Sequence, residues 1–223
     1  MPYIVSHRTQ QRLAVAGLMT CLIALSAELT VQMADHTARG GHVVGALLSY
    51  VSYYTVGSII LLVAVYAAHL SRSRALRILR DTRVRTMAAA MITLVMLVHL
   101  FVLSRVEAPQ GLGKVSAVLA HYIAPPLYMA WWAATSHRDR IGFCDLPFMI
   151  VPSIGYMSYV LLLGHLTGKY PYAMLDADRL STWGMVVHGF GLLVALLAAC
   201  SLFIALGRWR YVKVDRHRHG DAR

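Results

Sequence analysis

The chain has 223 residues, of which 58% are hydrophobic and only 14% charged, proportions that exclude an ordinary soluble domain and a disordered chain alike. Apolar runs of about 20 residues, the length that crosses a bilayer as helix, occur six times over. The formal charge of +11 fits basic residues marking the cytoplasmic side and meeting anionic headgroups, not a nucleic-acid partner.

The expected fold is all-α: one domain over 1–223, a polytopic membrane protein of six transmembrane helices. The first span covers about 13–33. Its basic opening and the small residues at Ser26-Ala27 also resemble a signal peptide, but the apolar run continues through Leu29, Val31 and Met33, favouring a retained helix. Arg39-Gly40-Gly41 makes a turn into a long second run, about 43–69, whose first half carries Ser49, Tyr50, Ser52, Tyr53, Tyr54, Thr55 and Ser58. An arginine-rich loop leads to the third span, about 87–104. Gly111 and Gly113 form a turn with no preceding strand, not a phosphate cradle. The fourth span, about 115–134, holds His121, Pro125 and Pro126, and ends in Trp131 and Trp132, read as an interface belt. Asp145 is a plausible N-cap for the fifth span, about 147–163, with Pro147 in its first turn. The sixth covers about 183–206. Sixteen of the 21 lysines and arginines fall on the side that includes both termini; Arg39, Arg105, Lys114, Lys169 and Arg179 fall on the other. The positive-inside rule therefore puts both termini in the cytoplasm. The excess of Arg over Lys hints at a GC-rich bacterium, hence an inner membrane.

Ionisable groups inside spans are costly and mark functional candidates. At about 1.5 Å rise per residue, Glu28, Ser49, His99, His121 and His188 come out roughly 8–9 Å below the outer ends of their spans, and Ser52 and Thr55 roughly 13 and 18 Å. A later start to the second span lifts Ser52 and Thr55 to the same layer. The convergence is that of a cavity in the outer half of the membrane.

His121-Tyr-Ile-Ala-Pro125-Pro126 is the strongest local device. Pro125 and Pro126 have no N–H to offer the carbonyls of His121 and Tyr122, and such a break is tolerated where the backbone lines a cavity. His121 there acts as base or ligand, or else ties helices together as a neutral partner. Ser52 and Thr55 are three apart on one face, so either can be the hydroxyl nucleophile opposite this base, or bond its own helix. Glu28, His188 and His99 read first as structural partners. Neither GxSxG nor HExxH occurs, and Cys21, Cys144 and Cys200 form no metal or disulfide pattern. Two other classes compete: a haem protein using His99, His121 and His188, and a proton-linked transporter using Glu28 with the histidines.

Tyr53-Tyr54-Thr55, His121-Tyr-Ile-Ala-Pro125 and Gly168-Lys-Tyr170-Pro-Tyr172-Ala-Met-Leu-Asp176, in that order, resemble the androgen-induced and androgen-dependent membrane protein family, particularly its bacterial branch. The resemblance implies six spans with cytoplasmic ends and a hydrolase of fatty acid esters of hydroxy fatty acids. It implies Thr55 as nucleophile and His121 as base, with Ser52 as rival to Thr55. Ser52, Tyr53, Glu28, His188, Tyr170, Tyr172 and Asp176 are the supporting candidates. No cofactor or metal is called for; the expected partners are membrane lipids and a lipid-like substrate. Bacterial relatives often follow a Phe-Thr pair with Gln, Ser and Asn, whereas this chain has Gly57 and Ile59 at the Gln and Asn positions.

Overall fold

A computed structural model describes residues 5–71, 73–105, 108–136, 141–168, 170–172 and 180–220. Among these residues the chain is helical throughout, with no strand. The helices are α1 (His7–Ala38), α2 (Val43–Val51), α3 (Tyr54–Leu70), α4 (Thr82–Phe101), α5 (Gly111–Val118), α6 (Ala124–Thr135), α7 (Leu146–Thr167) and α8 (Thr182–Gly220). Four stretches, His7–Ala38, Thr82–Arg105, Phe143–Thr167 and Trp183–Trp209, are long and apolar enough to cross a bilayer. α2 and α3 make a fifth as a pair bent by 77°. The chain is thus an all-helical integral membrane protein. The expected fourth span has a different form: 111–135 is helical end to end but divides into α5, a π-helical turn at Leu119–Ile123 and α6, each too short to cross alone.

Ser6 starts α1 by accepting the Thr9 N–H at 3.2 Å, the capping bond expected of serine there. Ala14, Gly17, Cys21, Ala24 and Ala27 then recur every three or four residues and are all buried. Small residues at this spacing let helix backbones approach closely, the usual basis of helix packing in lipid. Gly17 lies under the ring of fully buried Tyr66 on α3, and a Cβ there would fall 2.3 Å from its hydroxyl oxygen. Gly40, at φ +73°, ends α1 in the left-handed turn that glycine adopts without strain. The central helix is α4, buried almost continuously from Val84 to Val95.

Two expectations change. Trp131 and Trp132 are not an interface belt: both are buried in the core. Trp131 packs edge-on to Tyr66 and His69, and Trp132 donates its indole N–H to Thr86 at 3.1 Å. The row of Ala88, Ala89 and Ala90 on α4 leaves room for such large rings in the centre. Asp145 does precede α7, with Pro147 in the first turn, but its carboxylate turns back to accept the Gly142 N–H at 2.9 Å and caps no α7 donor.

Candidate active site

The second apolar run breaks between Val51 and Tyr54, with Tyr53 extended at φ −82°, ψ 130°. A break inside a membrane strands the last carbonyls of one helix and the first N–H groups of the next. α7 and the segment 170–172 supply the partners. Tyr156 donates its hydroxyl to the Ser52 carbonyl at 2.7 Å. The Tyr172 phenol oxygen accepts the Tyr54 N–H at 3.1 Å. Tyr54 and Ser153 pair through their hydroxyls at 2.7 Å, and the Tyr53 ring meets Tyr172 edge-on.

The break separates the two candidate nucleophiles. Ser52 is buried, donates to the Leu48 carbonyl at 2.7 Å and pairs with the Tyr159 hydroxyl at 3.0 Å. Its oxygen is committed to the fold. Thr55 falls instead in the first turn of α3 and lines a cavity of about 610 Å³. Thr55 thus stands at the positive dipole end of α3, where the Tyr54 N–H is taken by Tyr172 and the Gly57 N–H by the Tyr53 carbonyl.

His121 enters the same cavity from the π turn. There the Ala124 N–H reaches back five residues to the Leu119 carbonyl, and the two prolines that follow cannot restore the α-helical ladder. His121 Nδ1 lies 3.0 Å from the Ala117 carbonyl. A carbonyl only accepts, so Nδ1 carries the proton and Nε2 keeps a lone pair. The ring stacks on His99 with centroids 3.9 Å apart and planes 14° from parallel. His99 is buried, and its Nδ1 has no hydrogen-bond partner among the described residues. No hydrogen bond joins Thr55 to His121 among the described residues.

Most of the remaining wall is apolar, from Leu94, Val95 and Val98 of α4, Met157 of α7 and Leu192, Leu193 and Leu196 of α8, with the hydroxyls of Tyr54, Ser153, Tyr156 and Ser158 on the α3–α7 side. Ile154, Leu161, Val186 and Phe190 line it too, yet are exposed on the outer surface of α7 and α8. The cavity therefore opens sideways, between those helices, toward the lipid. Tyr172 closes part of it. Burial pushes the Tyr172 phenol up to about 12, against hydrogen bonds from Thr55 and Tyr54 that pull it down, so the group stays protonated near neutral pH.

Of the other predicted residues, Glu28 lies apart from the cavity: it accepts from Ser116 at 2.8 Å and from Gln32 at 3.2 Å, tying α1 to α5. His188 is exposed on α8 and bonds the Gly184 carbonyl of its own helix at 2.7 Å. Tyr170 covers Gly164, where a Cβ would fall 2.0 Å from its ring, and so fastens segment 170–172 to α7. Asp176 lies outside the described residues. Ser153, Tyr156 and Tyr159 were missed by the sequence reading; their signal was hydroxyls at successive three-residue steps along one face of an apolar run.

Comparison of the chain with family models, with curated proteins and with solved structures finds no match in any of the three.

Proposed function

We propose that the chain is an intramembrane hydrolase of fatty acyl esters, with Thr55 as nucleophile and His121 as general base. One observation carries the reading: a helix-terminal threonine and a histidine with a free Nε2 lone pair line one apolar cavity that opens sideways to lipid. An acyl chain suits such walls, and an ester carbonyl suits the polar corner.

In the proposed cycle His121 Nε2 takes the Thr55 hydroxyl proton as Oγ1 attacks the acyl carbonyl carbon. The carbonyl becomes an oxyanion, held by the Tyr172 hydroxyl at the edge of the cavity. Collapse breaks the ester C–O bond; the leaving alkoxide takes the proton from the imidazolium, and an acyl-threonine remains. Water, deprotonated by His121, then releases the fatty acid and restores Thr55. Hydrogen bonds between such pairs commonly tighten only when substrate binds.

The proposal includes the resemblance to the androgen-induced and androgen-dependent family, six spans with both termini cytoplasmic, and a bacterial inner membrane. The unbroken helical path of 111–135, about 37 Å at 1.5 Å per residue, supports a sixth crossing. Gly57 is exposed and lines no part of the cavity, so the missing amide there leaves the surroundings of Thr55 intact. A haem reading has weaker support: His99 and His121 stack face to face at 3.9 Å, leaving no room for a porphyrin between them. A proton relay from Glu28 has weaker support too, because Glu28 is bonded away from the cavity.

A fluorescent fluorophosphonate tests the proposal on the purified protein. Labelling should be lost in Thr55→Ala and His121→Ala and retained in Ser52→Ala. Labelling that survives in Thr55→Ala, or is missing from the folded wild type, ends the proposal.

A further inference from the structure

α4 lines the Thr55 cavity with Leu94, Val95, Val98 and His99. Three of these are apolar, and the fourth is an imidazole only 5% exposed. Neither nitrogen of His99 forms a hydrogen bond among the described residues, and Nδ1 is fully buried. Rings hold it instead: it stacks on His121 with centroids 3.9 Å apart, and Tyr122 meets it edge-on at 5.4 Å. A phenyl ring would fill that stack without the cost of burying polar atoms that find no partner. An unpartnered imidazole on a cavity wall therefore marks where a polar group of the ligand belongs. We propose that His99 bonds a hydroxyl on the carbon adjoining the one that carries the ester oxygen, so that the site takes monoacyl esters of vicinal diols, as in a monoacylglycerol. This rests on the hydrolase reading of Thr55 and His121.

The stack sets the spacing. In the proposed cycle His121 Nε2 meets the leaving oxygen of the ester. The His99 ring lies 3.9 Å away with its plane 14° from parallel, a displacement close to that between oxygens on adjacent carbons. A hydroxyl further along the alcohol falls beyond it. The tautomers are complementary as well. A buried N–H without an acceptor is rarer than a buried acceptor without a donor, so Nδ1 of His99 stays bare and Nε2 carries the proton. His121 has the opposite arrangement, with its proton on Nδ1 toward the Ala117 carbonyl. Side by side, the pair offers a lone pair for the proton of the reaction and an N–H for the neighbouring hydroxyl oxygen. A diol monoester has one acyl chain, which suits the apolar wall of Leu192, Leu193 and Leu196. A metal held by the two histidines has less support, since no group of three or more His, Cys, Asp or Glu side chains is placed to bind one among the described residues.

Three esters of decanoic acid test the site on the purified full chain in detergent. They are the propyl ester, the hydroxypropyl ester with its hydroxyl on the carbon adjoining the ester-bearing one, and the isomer with a terminal hydroxyl. The adjoining hydroxyl should raise kcat/KM about tenfold over the other two, the gain expected of one buried hydrogen bond. In His99→Phe, which keeps a flat ring on His121 and removes the donor, that ratio should fall to about one. In His99→Gln, which keeps an N–H, part of it should return. A histidine that only supports the fold would lower all three rates together and leave the ratio unmoved, and that result overturns the site. Equal hydrolysis of the three esters by the wild type, a measurement that needs no variant to fold, overturns it too and leaves the hydrolase reading standing. Hydrolysis of none of them by the folded protein removes that reading, and the diol site with it.

Discussion

Ser52 and Thr55 carry similar hydroxyls three residues apart, and their surroundings give them opposite roles. One hydroxyl is buried between the Leu48 carbonyl and Tyr159, while the other, bonded to Tyr172, lines the cavity. A nucleophile needs a lone pair free to attack, so access, not residue type, separates them. Gly189 offers a similar test on the wall. It lines the cavity, and a Cβ added there meets nothing within 4 Å. Gly189→Phe should therefore fold normally but fill the space proposed for an acyl chain. The expected outcome is a fall of more than about tenfold in kcat/KM for a long-chain ester, with a two-carbon ester nearly unaffected, given that pockets discriminate by about 10–200-fold per methylene-sized change. Equal loss on both esters would mean that the ring disturbs the helix instead of the chain-binding space.

Among the elements, the break between α2 and α3 is the device on which the site depends, and it was illegible in the sequence. Val51-Ser52-Tyr53-Tyr54-Thr55 contains neither glycine nor proline, the residues that announce a helix end. The break exists because hydroxyls more than 100 residues further along supply what the broken ladder lacks: Tyr156 of α7 donates to the Ser52 carbonyl, and Tyr172 accepts the Tyr54 N–H. By contrast, the disturbance at His121 was legible, because Pro125 and Pro126 withdraw two N–H groups whatever the tertiary context. The sequence depth estimate brought His99 and His121 to one layer, but their stacking depends on the packing of α4 against the π turn. Tyr156→Phe tests the support directly by leaving the Ser52 carbonyl without its donor. Thermal unfolding in detergent should show a loss of about 1 kcal/mol, between the ~0.6 average for side-chain bonds in membranes and the 1–3 for a buried group left unsatisfied. Hydrolysis should fall with it, because Thr55 stands in the next turn. Unchanged stability and activity would show that the break is held by other means.

For the whole molecule, the long apolar helices α1, α4, α7 and α8 were visible as runs, since lipid selects for length and apolarity before any packing is considered. The number of crossings turns on 111–135, whose continuous helical path includes the π turn. Cys144 reads out that question without any engineered label. It is exposed in the turn before α7, whereas Cys21 and Cys200 are buried. If 111–135 crosses, four spans precede Cys144 and it shares the cytoplasmic side with the N-terminus; if it does not, three precede it and Cys144 faces the opposite side. The positive-inside count favours the first, since Arg138 and Arg140 flank this turn. A membrane-impermeant maleimide should accordingly label the wild type in inverted membrane vesicles and leave it unlabelled in right-side-out ones, with Cys144→Ser silent in both. Labelling in right-side-out vesicles would remove the crossing at 111–135, and with it the six-span topology.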